Sequence, residues 1–428
     1  MERLIRDHLM EHLKINNLLS NKQYGFISGR SVSLQLLTVM NDWTKIMDKG
    51  EAVDVIYLDF MKAFDKVPHR RLIHKLRGLG VHTQIIRWIE NFLTERTQTV
   101  VYNGHSSAAK MVDSGIPQGT VIGPASFLTF IDDIADDIDS HIYLFADDTK
   151  VYRSVSHLED CNRLQTDVDR LDAWSTKWLL HFNQVKCKVM TIGNSDTHYD
   201  YHMTKQDGTV IKVERSSLER DLGVLVDEHL SFSEHIHKIS CTATGIMAVI
   251  RRTYTDLDAD CFLLLYKALI RPHLEYCATI WSPYKMKDIE TIEKVQKRAT
   301  KQVKGLHSLS YEDRLRKLDI LSLRFRRCRG DMIEVFKILH GIYDESITTE
   351  LLTVMEGSIT RGHHLKLCKQ QCRLDVRKYN FLMRIVNPWN SLPDEVVSAP
   401  TIVSFEAKLD NVWQNQPMKY NYKEDLRL

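Results

Sequence analysis

Three aspartates stand where acids are unusual. Asp59 closes the run Val53-Asp54-Val55-Ile56-Tyr57-Leu58, which is apolar at most positions and reads as a strand buried on both faces. Asp147 and Asp148 fall at the tip of a predicted hairpin whose arms, Ile142 to Phe145 and Thr149 to Tyr152, are largely apolar. A carboxylate at the end of a buried strand needs an opposing charge. If the two strands are neighbours, the three acids meet at one rim, and a divalent cation relieves their repulsion. Oxygen-only ligands favour magnesium, and two such ions about 3.5–4 Å apart form the clamp used for in-line phosphoryl transfer. Asp is also common in ordinary turns, so the hairpin context has to carry the reading. Asp132-Asp133 and Asp136-Asp137 give a contrast within the same sequence. They share the helical spacing of Ile131, Ile134 and Ile138 and are expected on a solvated helix face.

The elements that must position these acids follow from periodicity. Amphipathic helices are predicted over Leu4 to Leu19 and Ser31 to Met47, and two more over 64–94, broken near Gly78 and Gly80. Arg96 to Val101 and Lys110 to Val112 pair around Asn103-Gly104, a strong turn dipeptide. Ser114-Gly115-Ile116-Pro117-Gln118-Gly119 is a loop, and a helix follows from Ser126. A long helix over 157–180, a strand over Val185 to Ile192, and short strands near Val213 and Leu222–Val226 complete the first part. Beyond Ser231 the pattern turns helical. The order describes an α+β domain with a mainly antiparallel sheet, then a helical domain, then a stretch after about residue 345 that is hard to read.

Length and composition bound the rest. The chain has 428 residues, 43% hydrophobic, with 18 Gly and 9 Pro, enough for two or three cored domains and unlike a disordered or fibrous chain. No run of 18 apolar residues occurs, and the start, Met1-Glu2-Arg3-Leu4-Ile5-Arg6-Asp7, lacks the apolar core of a signal peptide. The eight cysteines have no short-spaced framework, so a reduced, intracellular protein is expected, with nucleus and cytoplasm left open. The net charge of +2 conceals a basic segment, 285–340, which carries 15 basic and 8 acidic residues. Its apolar positions Ile289, Ile292, Val295, Ala299 and Val303 keep helical spacing, with Lys294, Lys297, Arg298, Lys301 and Lys304 largely between them. Arg324, Arg326, Arg327 and Arg329 follow. Such a segment suits a phosphate backbone gripped without reading sequence, although a solvated helix face has the same pattern.

Taken together and in order, six segments resemble the reverse transcriptase of non-LTR (LINE-type) retrotransposons. They are Gln23-Tyr24-Gly25-Phe26 with Gly29-Arg30-Ser31; Leu58-Asp59-Phe60-Met61-Lys62-Ala63-Phe64-Asp65-Lys66-Val67; and Gly115-Ile116-Pro117-Gln118-Gly119 through Gly123-Pro124. Phe145-Ala146-Asp147-Asp148, Asn183 to Gly193 with Lys186, and Leu222-Gly223-Val224 with Leu230-Ser231-Phe232 follow. Arg361-Gly362-His363 and Asn387-Pro388-Trp389-Asn390-Ser391-Leu392-Pro393 look like the tail that closes many such elements. The resemblance implies a right-hand polymerase fold. Partial fingers and palm would span 1–230, a helical thumb and basic connection 231–345, and a tail 346–428.

The same resemblance implies an RNA-directed DNA polymerase working on an RNA template, a DNA primer and deoxynucleoside triphosphates. Asp59 and Asp147 would bridge two magnesium ions, with Asp148 supporting the site and the Phe60 carbonyl helping to hold a metal. Phe64 would lie under the sugar of the incoming nucleotide and exclude a 2′-hydroxyl, which weighs against an RNA-templated RNA polymerase. Gln118 and Gly119 would touch nucleotide and template, where Gly admits a close backbone and Gln donates or accepts. Lys186 would neutralise or protonate the departing pyrophosphate, with Lys188 an equally placed neighbour.

Elements of this kind carry basic finger strands and an endonuclease ahead of the segment where this sequence starts. Loss of those strands is expected to lower activity by roughly 100-fold or more, since the triphosphate must be placed to within about an ångström. The rival expectation is a non-catalytic remnant that at most binds nucleic acid through the basic segment. His363, His364, Cys368 and Cys372 offer zinc donors, but without a Cys-x-x-Cys pair they are not expected to form a metal site.

Overall fold

The computed structural model describes residues 1–195, 198–254, 256–349, 351–355 and 362–428. The chain forms two compact units, one of residues 1–32 and 51–217, the other of residues 33–50 and 218–428.

The first unit is built on a five-stranded sheet. Its strands are β1 (Ala52–Leu58), β2 (His141–Phe145), β3 (Asp148–Val155), β4 (Lys188–Ile192) and β5 (Glu214–Arg215), in the spatial order β5-β4-β1-β3-β2. All neighbours are antiparallel except β5 and β4. The near-continuous apolar run of β1 is explained by its central place, where all but Tyr57 are buried. Asp54 sits inside that run, fully buried, because Tyr201 Oη and Thr191 Oγ1 both donate to its carboxylate. The helix Leu158–Trp178 turns Cys161, Leu164, Val168 and Leu171 inward, and the helix Gly123–Ile131 is buried all round. The α+β expectation therefore holds.

Several boundaries differ for local reasons. Pro68 separates a short helix, Ala63–Lys66, from His69–Gly78, because Val67 before it is extended. The strand expected from Val185 begins at Lys188, since the amides of Lys186 and Cys187 both donate to the Asn183 carbonyl and form a turn. After Ile131 the backbone tightens into a 3-10 turn over Asp132–Ala135.

That turn overturns the expected solvated face for two of its four acids. Asp136 and Asp137 are exposed, but Asp132 and Asp133 are half-buried and partnered. The Ser20 amide donates to Asp132 Oδ2 at 2.8 Å, and Lys75 Nζ and Trp174 Nε1 both donate to Asp133 Oδ1. Lys75 lies over the Trp178 ring at 3.9 Å, and burial pulls it down to about 8. Lys75, Asp132, Asp133 and Trp178 line a cavity of about 510 Å³ together with Leu13, Leu18 and His74. Burial lifts Asp132 to about 6. An unfolded Asp titrates near 3.9, so the folded state holds the proton more tightly between those values. Its favourable contribution is complete below about pH 4, fades as pH rises to about 6, and is gone above that. Asp132→Asn is therefore expected to raise the unfolding free energy at pH 7 by on the order of 1–3 kcal/mol, with the gain vanishing below about pH 4. Urea unfolding at the two pH values measures this.

The second unit is mostly helical. A hairpin, Leu218–Asp221 with Val224–Asp227, turns at Leu222-Gly223, both at positive φ. The helices Ser233–Thr253, Met286–Thr300 and Leu323–Leu339 follow. The tail, hard to read in sequence, is a set of short helices and a longer one, Ile402–Val412, packed on Leu323–Leu339. Trp389 is fully buried, donates from Nε1 to the Leu365 carbonyl, and meets the His363 ring edge-on. Asn390 accepts from the Leu367 amide and donates to its carbonyl. Arg361 of the tail motif lies outside the described residues. No described helix is long and apolar enough to cross a membrane.

Candidate active site

Because β1 and β3 are neighbours, their ends share one rim of the sheet. Leu58 pairs with Thr149, and carrying that register onward sets Asp59 opposite Asp148 and Phe60 opposite Asp147. The β2–β3 turn consists of Ala146 and Asp147, with Ala146 at a φ of +56°. On the other side, the Asn183 amide donates to the Asp59 carbonyl at 2.6 Å and the Met61 amide donates to the His181 carbonyl. Successive residues of a strand turn their carbonyls to opposite sides. The Phe60 carbonyl accordingly faces the Asp147 side of the rim.

The electrostatics are those of a crowded anionic site. Burial first, then the Asp59 charge, holds the half-buried Asp147 above the ordinary carboxylate range. Asp59 Oδ2 is buried and has no hydrogen-bond partner, with Lys186 Nζ 3.4 Å away. Asp148 is exposed. Lys188, the other candidate lysine, is committed to Glu214.

Whether these residues suit a divalent cation turns on the donor set. Among the described residues, no group of three or more His, Cys, Asp or Glu side chains is placed to hold a metal. The rim offers two carboxylates and a backbone carbonyl, all hard oxygens, one of them the orphaned Asp59 Oδ2. Magnesium is commonly held by one or two carboxylates and completes its shell with water and substrate phosphates. The residues fit on those terms, as a site finished by its substrate.

A second shelf lies beside the rim. Phe64 is half-buried, stacked on Phe127 at 4.3 Å and edge-on to Phe26. The Ile116 amide donates to the Phe64 carbonyl at 2.7 Å and the Gly115 amide to the Val67 carbonyl at 2.8 Å. Gly115 is forced: at a φ of +95°, a Cβ would meet the Asp65 carbonyl oxygen at 2.6 Å. From this loop Gln118 Nε2 donates to Asp65 Oδ1 at 3.2 Å, and Gly119, at a φ of +79°, faces open space.

The segment Gln23-Tyr24-Gly25-Phe26 carries part of the family resemblance, yet its sequence suggests no task. In the fold it has one. Gln23, fully buried, accepts at Oε1 from the amides of Gly25 and Ala146 at 2.8 and 2.9 Å. The Tyr24 amide donates to the Leu144 carbonyl, and the Leu144 amide to that of Lys22. A Cβ on Gly25 would lie 2.4 Å from the Ala146 nitrogen. This segment clamps the turn that bears Asp147. The signal is a Gln-x-Gly pattern with no periodic reason to exist.

The basic segment divides. Lys294, Lys297, Arg298 and Lys301 are exposed at helical i, i+3, i+4 and i+7 spacing, and no described side chain engages them. Lys304 is exposed but paired with Asp256 at 2.7 Å. The four arginines expected to extend the stripe do not. Arg324 is bound to Asp425 and to the Tyr422 and Glu424 carbonyls, Arg326 to Glu275, and Arg329 to Asp410 and Glu406. Arg327 is buried beside Glu293 and Asp331. Arg324, Arg326 and Arg329 tie parts of the unit together.

Comparison with known proteins bears on all of this. A family profile described as "Reverse transcriptase (RNA-dependent DNA polymerase)" matches residues 1–224. The RNA-directed DNA polymerase from mobile element jockey of Drosophila melanogaster is 28% identical over 317 residues, covering 71% of this chain and 34% of that protein. The probable RNA-directed DNA polymerase from transposon X-element of the same organism is 25% identical with the same coverage. The chain thus spans about a third of the length of these relatives. Among solved structures, apo telomerase from Candida tropicalis is similar with a TM-score of 0.41 and 12% identity, over 74% of this chain and 53% of that one.

Proposed function

Since this chain belongs to the reverse transcriptase (RNA-dependent DNA polymerase) family, with relatives in mobile elements of the LINE type, we propose that it extends a DNA primer on an RNA template. Partial fingers and palm would occupy 1–230, a helical thumb and basic connection 231–345, and a tail the remainder. The observation that carries the reading is Asp59 and Asp147 on adjoining strand ends, with Asp59 Oδ2 buried, without a hydrogen-bond partner and 3.4 Å from Lys186 Nζ.

Members of this family use divalent metal ions, and two magnesium ions would supply activation of the primer 3′-hydroxyl and neutralisation of the triphosphate. Asp59, Asp147 and the Phe60 carbonyl would hold them, with Asp148 supporting. The chain's own residues do the rest. Phe64, braced by Phe127, forms a flat floor under the deoxyribose that leaves a 2′-hydroxyl no room. Gln118, oriented by Asp65, and Gly119 contact the nucleotide and the template backbone. Lys186 Nζ leaves Asp59 for the departing pyrophosphate and donates the proton that its oxygen acquires.

Primer extension by the full chain with an RNA template, magnesium and deoxynucleotides tests this. Wild type is expected to extend and Asp147→Ala is not. Equal incorporation by the two removes the catalytic reading, and binding without extension points to a nucleic-acid-binding remnant. A preference for ribonucleotides over deoxynucleotides would contradict the role given to Phe64.

The stripe Lys294, Lys297, Arg298 and Lys301 is assigned to the phosphates of template and primer, with Lys304 a weaker member because of Asp256. Replacing Lys294, Lys297 and Lys301 with Ala is expected to weaken template–primer binding. The slope of log K against log salt should fall by roughly 2–3, about one for each phosphate that is no longer neutralised. A salt titration of binding reads both.

A further inference from the structure

Residues 97–111 are exposed without interruption, as a ribbon of short antiparallel strands turning at Asn103-Gly104. Val101 pairs with Ser106 and Tyr102 with His105, whereas nearer the base Gln98 pairs with Lys110 and Thr97 with Met111. Between the two ladders the returning strand carries one extra residue, a bulge. Alternation along the strands then sets Gln98, Val100, Tyr102, His105 and Lys110 on one face. Val100 is 71% exposed and Tyr102 76%. A two-stranded ribbon with both faces in water is marginal by itself, so one face is expected to be covered in use.

The chemistry of this face selects its occupant. No acidic residue lies between Arg96 and Val112. The face offers an exposed ring, a lysine, an imidazole and an amide, the groups with which proteins hold single strands, by stacking on bases and by contacts to phosphate. The base of the ribbon is also fixed. Three residues beyond Met111, Ser114 Oγ donates to the Asp65 carbonyl, and Gly115 and Ile116 are stitched to Val67 and Phe64. Whatever the ribbon grips is therefore held a short length of chain from the nucleotide shelf.

We propose that this face binds the unpaired RNA template ahead of the primer terminus, with Tyr102 stacked on a base and Lys110 on phosphate. The assignment rests on the polymerase reading above. The test uses the full chain, a labelled RNA–DNA duplex with a 5′ template overhang, and the same duplex made blunt. Tyr102→Ala is expected to weaken overhang binding by about 5- to 100-fold, the range for losing one base–aromatic stack. Blunt-duplex binding should not change. Tyr102→Phe should restore overhang binding, and Val101→Ala, on the opposite face, should behave as wild type. If Tyr102→Ala and Lys110→Ser both bind the overhang as wild type does, the proposal fails, even where wild type extends primers. It fails equally if Tyr102→Ala converts a dimer to a monomer in sedimentation while RNA binding persists, since the face would then cover a second copy. Overhang binding that depends on Tyr102 in a chain that extends no primer leaves the ribbon assignment standing and removes the polymerase reading.

Discussion

Asp59→Asn is expected to lower deoxynucleotide incorporation by about a thousandfold, on the order of 4 kcal/mol of transition-state stabilisation, without destabilising the fold. Asn has nearly the shape of Asp, so the packing at the end of β1 and the backbone bond from Asn183 to the carbonyl of residue 59 persist. What disappears is charge. The buried oxygen now beside Lys186 becomes part of a neutral amide, and the rim loses half of the carboxylate pair on which a cation would depend. The ion pair to Lys186 is a small loss, because both side chains are substantially exposed. Stability moves the other way. Asp147 is held above its ordinary range by burial and, next, by the Asp59 charge, so ionising it costs the folded state. Removing the Asp59 charge eases that cost wherever Asp147 is ionised. The variant should therefore match or exceed wild type in thermal stability at neutral pH, with the difference closing as pH falls through the unfolded Asp range near 3.9. Single-nucleotide incorporation and a melting series across pH separate the two effects. A variant that keeps wild-type incorporation would sink the catalytic assignment of Asp59.

What could be read from sequence here was what local pattern encodes. The apolar run into Asp59, the hairpin around Asp147-Asp148 and the helix after Met286 each announce themselves within a dozen residues, through periodicity and turn chemistry. The expectations that failed depended on partners far along the chain. Asp132 and Asp133 have the spacing of a wet helix face, and nothing nearby shows that Lys75 and Trp174 will close over Asp133. Arg324, Arg326 and Arg329 read as a phosphate-binding run until their acids arrive from positions 425, 275 and 410. Lys294, Lys297, Arg298 and Lys301 look no different in sequence, yet they stay unengaged among the described residues. A count of basic residues cannot separate these two groups; only the folded neighbourhood can. Lys186 and Lys188 show the same limit. They stand two positions apart, but the turn on Asn183 sets Lys186 beside Asp59, whereas Lys188, the first residue of β4, reaches Glu214.

Gly25→Ala is expected to cost most of the incorporation activity, about 100-fold or more, although it lies more than a hundred positions before Asp147. The added Cβ would stand 2.4 Å from the Ala146 nitrogen, and backbone cannot rotate out of the way as a side chain can. Either the Gln23–Phe26 segment or the β2–β3 turn must shift. Both are held by the same acceptor, Gln23 Oε1, which takes the Gly25 and Ala146 amides together. A shift that breaks one of these bonds leaves a buried amide without a partner, at about 1–3 kcal/mol, so the melting temperature should fall as well. Activity should fall further than stability alone explains. The displaced turn carries Asp147, and an ångström of misplacement at a reacting centre costs about 100-fold. Gly78→Ala is the control, since a Cβ there meets nothing within 4 Å and the residue ends a helix with ordinary φ. Gln23→Ala gives the complementary case, removing the acceptor without adding bulk. If the clamp aligns the site, it should lose both stability and incorporation, whereas a purely structural Gln23 would lose stability and keep incorporation in the fraction that remains folded.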